Sequence, residues 1–158
     1  MMNLRAPLGL AATVLLALPA SSMAADQNAT VSGVVGTELS LAAATPGAMT
    51  FSPSTDGTAS SAVTVTSTQP SWTLSILDQS ATTPGHLDKA SGVGSLTDPL
   101  EFRLSGAGSY SSLSGSAQTV TTGSLVDTKT VDYRQQIEAT EDIAAGDAYN
   151  AVVTYRVQ

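Results

Sequence analysis

Residues 100–104 read Leu100-Glu101-Phe102-Arg103-Leu104, so that apolar and charged side chains alternate at every position. Successive side chains of a β-strand point to opposite faces, and a period of two therefore gives one apolar and one charged face. An apolar face is stable only when another layer covers it. The stretch predicts a β-strand that lies with one face against a core.

The same alternation recurs along most of the chain, whereas the helical period of 3.6 is hard to find. Eight or nine short strands, each with one apolar face, predict an all-β fold: a single antiparallel β-sandwich of Ig-like or Greek-key type. Only Thr140–Ala145 favours a turn or two of helix. The other clear strands are predicted at residues 39–43, 63–66, 72–76, 131–138 and 149–157, and weaker ones at Ala29–Val35, Met49–Phe51 and Gln118–Thr121.

Turn-forming residues separate the predicted strands. Two longer segments rich in Gly and Ser, Gly85–Leu96 and Gly106–Ser116, are predicted to be loops. In each strand, the apolar positions of the alternation predict the side chains that are buried in the core. The expected core residues are Leu39, Leu41, Val63, Val65, Trp72, Leu74, Ile76, Leu100, Phe102, Leu104, Val131, Tyr133, Ile137, Val153 and Tyr155.

The first 24 residues are typical of a secretory signal peptide. Arg5 precedes an apolar run from Leu8 to Leu18, and Ser22-Met23-Ala24 supplies small residues at the positions that a signal peptidase reads. The run is too short to span a bilayer as a helix. We therefore expect cleavage before Ala25 and one exported domain, residues 25–158.

The net charge and the lack of cysteine exclude several classes of partner and of chemistry. The whole chain has a formal net charge of −7, and the loss of Arg5 makes the mature chain one unit more negative. Such a surface repels nucleic acid and anionic lipid, so neither is an expected partner. The chain has no cysteine, which excludes a disulfide framework and thiol chemistry.

The order of several short motifs resembles a known family. Leu39-Ser40-Leu41, Met49-Thr50-Phe51 and Val63-Thr64-Val65 precede Ser71-Trp72-Thr73-Leu74-Ser75-Ile76. Residues 133–139, then 145–149 and a final Val-Thr-Tyr strand follow. This order resembles the WxL surface domains of Gram-positive bacteria, with Trp72 and Leu74 as the motif residues.

The resemblance implies an exported β-sandwich that is held noncovalently on the cell wall, often alongside other surface proteins. Members of the family carry a second Trp-x-Leu near the C-terminus. At the corresponding strand this chain reads Tyr155-Arg156-Val157.

Catalytic and metal-binding patterns are sparse in the sequence. His86 is the single histidine, with Asp88 near it, and no Gly-x-Ser-x-Gly elbow marks a nucleophile. We expect a non-enzymatic protein without a cofactor, and a Ser–His hydrolase is the enzymatic alternative. One histidine without cysteine excludes the usual zinc sites. Glu141, Asp142 and Asp147 are candidate calcium ligands, with a solvated acidic turn as the alternative.

An isolated tyrosine and a possible Lys–Asn pair each have a structural and a functional interpretation. Tyr110 lies in a predicted loop, off any strand face, and is the best candidate for an exposed ligand contact. Lys129 and Asn150 are candidates for a spontaneous Lys–Asn amide crosslink, although a lysine that enters a strand more often protects a sheet edge from aggregation.

Two function classes follow for the exported domain. In the first, it binds a cell-wall polymer or a surface protein noncovalently. In the second, it is a structural subunit of a surface assembly, pilin-like or spore-coat-like, in which Ala25–Val35 adds a strand to the next copy.

Overall fold

A computed structural model describes residues 32, 34–80, 82–92, 94–141, 143 and 146–158. Within these ranges the chain forms antiparallel strands and no helix, which confirms the all-β prediction. The predicted signal peptide, residues 1–24, lies outside the described residues. The strands are β1 (Leu39–Ala43), β2 (Gly57–Ser67), β3 (Trp72–Asp78), β4 (Asp88–Lys89), β5 (Glu101–Leu104), β6 (Ser111–Ser112), β7 (Gln118–Gly123), β8 (Asp127–Gln135), β9 (Tyr149–Asn150) and β10 (Val153–Val157).

The strands form two main layers. A five-stranded sheet has the order β1-β2-β8-β5-β6, and a three-stranded sheet has the order β10-β3-β7. A small third sheet pairs β4 with β9. Every pairing is antiparallel, as expected for strands with one apolar face.

The core lies where the apolar faces of the two main sheets meet. Val63 and Val131 of the larger sheet and Leu74 and Ile76 of the smaller one are completely buried in a single cluster. Of the predicted core, five residues are only partly buried, because they lie on the edge strands β1 and β10 or at the end of β5: Leu39, Leu41, Leu104, Val153 and Tyr155. The other predicted members are buried, as expected.

The two segments predicted to be loops contribute more than expected. They contain β4 and β6, and Leu87, Leu96 and Leu113 from these segments are buried in the core. Each leucine stands alone among polar residues, so no periodic pattern marks it. Gly85 fixes the first segment against the second, since a Cβ there would lie 2.3 Å from the Leu113 carbonyl oxygen and its φ is +91°.

Several predicted strands have different bounds in the structure. The strand predicted at 63–66 is the longer β2, and the strand predicted at 131–138 is β8, which begins at Asp127 and ends at Gln135. The predicted strand at 149–157 is two strands in different sheets: β9 pairs with β4, β10 pairs with β3, and residues 151–152 between them are in neither strand. Met49–Phe51 is not a strand and leads into an isolated bridge between Ser52 and Thr55. Gln118–Thr121 is confirmed as part of β7.

The remaining expectations concern segments that are only partly described. Residues 32, 34 and 35 of the predicted strand Ala29–Val35 are not in a strand, and the rest of it lies outside the described residues. Residues 140, 141 and 143 of the predicted helical turn Thr140–Ala145 are not helical. No helix in the described part of the chain is long and apolar enough to cross a membrane.

Trp72 closes one end of the sandwich. Its side chain is only 2 % exposed, and its indole Nε1 donates a hydrogen bond to the Leu125 carbonyl oxygen at 3.0 Å. Trp72 pairs with Gly123 of β7, and a Cβ at Gly123 would lie 2.2 Å from the indole ring. The ring therefore occupies the space that any other residue at position 123 would fill.

We expect Gly123→Ala to lower the free energy of unfolding by about 2 kcal/mol or more, because the added methyl group forces the buried indole to shift. Gly108→Ala is the matched control, since nothing lies within 4 Å of a Cβ there and its φ is not left-handed. Its effect should stay within about 0.5 kcal/mol. Urea unfolding followed by Trp72 fluorescence measures both variants. Equal stabilities would contradict the proposed contact.

Candidate binding cleft

An open cleft of about 450 Å³ lies at the end of the sandwich opposite Trp72. One lip is the segment 45–51, which follows β1, and the other is the segment 147–153, which leads into β10. Leu87, Leu100 and Tyr133 form the floor. The cleft thus opens onto the core between the two sheets, beside the first residues of β10.

Two aromatic rings stand at the rim of this cleft. The ring centroids of Phe51 and Tyr149 are 5.8 Å apart, and the rings are inclined at 60°. A second cleft, of about 400 Å³, also contacts both residues and includes Ile143 and Pro53. Phe51 and Tyr149 therefore separate two adjoining depressions.

The rim carries opposite charges that compensate each other. The Lys89 ammonium lies 2.7 Å from a carboxylate oxygen of Asp147 and 6.0 Å from the centre of the Tyr149 ring. Asp147 is the charged residue in the cleft lining, which otherwise includes Met49, Phe51 and other apolar side chains. The lining suits an apolar group and offers little to an ion.

The candidate calcium ligands have separate partners. Asp147 pairs with Lys89, and an oxygen of Glu141 accepts a hydrogen bond from the Thr97 backbone N–H. Asp142 lies outside the described residues. Among the residues that are described, no three potential metal ligands come together. The calcium site stays a prediction that these contacts do not test.

Two tyrosine hydroxyls connect the sheets beneath the cleft. Tyr133 of β8 and Tyr155 of β10 share a short hydrogen bond between their hydroxyl groups. Burial raises the pKa of Tyr133 far above its usual range, and the bond to Tyr155 raises it further. Burial also raises the pKa of Tyr155, although its hydrogen bonds to Tyr133 and Ser61 oppose the increase. Both hydroxyls are therefore neutral in the native protein at ordinary pH.

The residues considered for a hydrolase make structural contacts. His86 is half-buried, and its Nδ1 lies 2.9 Å from the Leu96 carbonyl oxygen. A carboxylate oxygen of Asp88 accepts a hydrogen bond from the Ser80 hydroxyl. Each contact fixes one part of the loop that carries β4.

Tyr110 differs from the open side chain that its sequence position predicts. It is half-buried, and its ring centre lies 4.3 Å from the Arg103 guanidinium and 4.5 Å from that of Arg134. Both arginines also pair across strands, with Asp132 and Glu101 respectively. A ligand would have to compete with two cation–π contacts for this ring.

The candidate crosslink residues do not lie beside each other. Lys129 is on β8, where its ammonium pairs with Asp127 at 2.8 Å. Asn150 is on β9 of the small sheet and pairs with Asp88. The structure therefore gives the amide crosslink no support.

The cleft itself was not evident in the sequence. Its floor comes from residues far apart in the chain, and its lips are a turn segment and a break in a strand, none of which has a periodic signature. Turn signals at Thr45-Pro46-Gly47 and Ala145-Gly146-Asp147 mark where the lips begin. Comparison with protein-family models and with curated proteins finds no match.

We expect stability to fall at alkaline pH because of Tyr133 and Tyr155. A tyrosine whose pKa is raised on folding stabilises the native state fully below its unfolded value of about 10, and this contribution is lost as the pH rises above it. Tyr133→Phe removes one such group, so its unfolding midpoint should fall less than that of wild type between pH 9 and about pH 11. Tyr110→Phe is the control, because it keeps both Tyr133 and Tyr155 and should therefore keep their loss of stability at alkaline pH. Parallel losses in wild type and Tyr133→Phe would contradict the prediction.

Proposed function

We propose that the mature protein is a non-enzymatic, exported surface protein that binds a cell-wall polymer or a surface partner noncovalently. The observation that carries the proposal is the open apolar cleft, which exposes Phe51, Met49 and the rim of the core beside β10. Large apolar openings in a folded domain usually serve binding. The predicted signal peptide and the WxL-like order of motifs support export and attachment to the wall.

The net charge of the protein indicates whether electrostatic attraction or apolar contacts hold it on the wall. The chain is acidic, with a formal net charge of −7, and so has no long-range attraction to anionic wall polymers. The rim pair Lys89–Asp147 adds no net charge to the cleft. Binding therefore depends on short-range apolar contacts, which salt screens little.

We expect the mature chain, residues 25–158, to be retained on isolated cell walls and to stay bound at high salt. Soluble peptidoglycan should compete for it. Ala48→Asp places a charge in the exposed cleft lining and should lower retention several-fold. Ala117→Asp makes the same change at an exposed position away from the cleft and should leave retention unchanged. Retention no greater than that of an unrelated acidic β-sandwich would contradict wall binding.

A second function, as a structural subunit of a surface assembly, is supported by a different observation. Among the described strands, β1 and β10 are both at sheet edges, and they lie close to each other without pairing. Immediately before β1, Val34 is 97 % exposed and Val35 is 82 % exposed. Free sheet edges beside exposed valines are suited to strand pairing between copies.

For this second function we expect the average mass in sedimentation to rise with protein concentration, since strand pairing between copies follows mass action. A chain that stays monomeric at every concentration would contradict assembly. A monomer that is retained on walls would favour the first function.

A further inference from the structure

The outer edge of β10 has a defined set of backbone groups. Thr73 and Gln158 exchange both backbone hydrogen bonds, at 2.8 and 3.1 Å, and the Gln79 N–H bonds to the Val152 carbonyl. Because such pairs recur at every second residue of an antiparallel ladder, Thr154 and Arg156 direct their backbone groups towards β3. The intervening residues Val153, Tyr155 and Val157 therefore direct theirs outwards, where no described strand pairs with β10.

The position beside β10 is one that a complete sandwich fills. In an Ig-type sandwich, a sheet in the order ABED faces a sheet that contains C, F and G. Here β1-β2-β8-β5 has the order of ABED, and β3 and β10 correspond to C and F. No strand among the described residues takes the place of G, next to β10.

The outer edge of β1 also directs backbone groups away from its own sheet. The Thr68 N–H bonds to the Glu38 carbonyl and the Ala44 N–H to the Ala62 carbonyl, so Leu39, Leu41 and Ala43 direct their backbone groups away from β2. β1 and β10 are close but unpaired. The apolar cleft opens where the segments beyond Ala43 and before Val153 separate. Two free edges and the cleft thus form one continuous acceptor.

The segment before β1 has the composition of a strand that would fit this acceptor. From Ala25 to Val35 its one charged side chain is that of Asp26, and Ala29, Val31 and Val35 share one phase of a two-residue alternation. Fully extended, it would reach about 35 Å, longer than β10 at about 17 Å. Its low charge also avoids repulsion between two acidic copies.

Two residues of this segment, Val34 and Val35, are described, and both are exposed rather than buried against their own chain. The cleft lies beyond Ala43, at the end of β1 away from these valines. We therefore take the recipient to be a neighbouring molecule, and the stability of the monomeric donor variant tests this choice.

We propose that the β10 edge and the adjoining cleft accept the segment Ala25–Val35 of a second copy as an added β-strand. Its backbone pairs with Val153, Tyr155 and Val157, and its apolar phase enters the cleft. The inference rests on the second proposed function. Because donor and acceptor are different surfaces of one chain, the contact is heterologous and joins copies head to tail, into a ring or an open array.

The donor is tested with Val31→Asp in the mature chain. The substitution puts a charge on the inserted phase, and we expect it to weaken association at least tenfold in sedimentation. Thr30→Asp makes the same change in charge on the opposite phase and should associate like wild type. Unfolding midpoints of both monomers, followed by Trp72 fluorescence, should equal that of wild type at low concentration.

The acceptor is tested with Val153→Pro. Proline at this position removes an outward N–H and leaves the bonds to β3 intact, as proline does on sheet edges. We expect this variant not to assemble alone. Mixed with Val31→Asp, which keeps an intact acceptor, it should form a one-to-one heterodimer and nothing larger. Val157→Pro makes the equivalent change and replaces Val153→Pro if that variant does not fold.

The outcomes separate the inference from the function on which it rests. Assembly that Val31→Asp and both proline variants leave unchanged would overturn the inference and retain the structural subunit. A wild-type chain that stays monomeric would overturn both. A lower unfolding midpoint of monomeric Val31→Asp would also overturn the inference, because it would mean that the segment stabilises its own chain.

Discussion

The contact between the Trp72 indole and Gly123 is the constraint on which the rest of the sandwich depends. It holds β3 and β7 together at one end, and the indole N–H reaches the Leu125 carbonyl in the turn that leads to β8 of the other sheet. At the opposite end Tyr133 and Tyr155 join the sheets more deeply, and the lips of the cleft leave Leu100 and Tyr133 at the bottom of an opening. Trp72 therefore closes one end of the sandwich, and the cleft is the open end.

The free edges and the cleft belong to one side of the molecule, and this placement links the fold to the proposed functions. Sheet edges normally carry charges, prolines or bulges that prevent pairing with other chains. The inward-facing residues of β1 and β10 are instead apolar, including Leu39, Leu41, Val153 and Val157. The chain has no cysteine, so no disulfide directs association. Backbone pairing and apolar insertion are the interactions that this side offers.

The sequence predicts the parts of the structure that depend on local period. Residues 100–104 and 72–76 alternate because each strand has one face in the core, and both are strands with buried apolar positions. Periodicity does not predict the burial of Leu87, Leu96 and Leu113, since each is a single apolar residue in a polar segment. It does not predict the break at 151–152 either, because alternation continues across a point where the chain changes sheet. The cleft depends on long-range placement of residues near 45, 87, 100 and 149, which no local pattern contains.

Hydrogen exchange at single amides of β10 tests the central claim, that this edge accepts a strand from a second copy. The Thr154 and Arg156 amides bond within the sheet and should be protected whether or not the protein assembles. In the assembled protein, we expect the Val153, Tyr155 and Val157 amides to become protected to a similar degree, and in monomeric Val31→Asp to exchange rapidly. Unchanged, rapid exchange at these three amides on assembly would contradict the account.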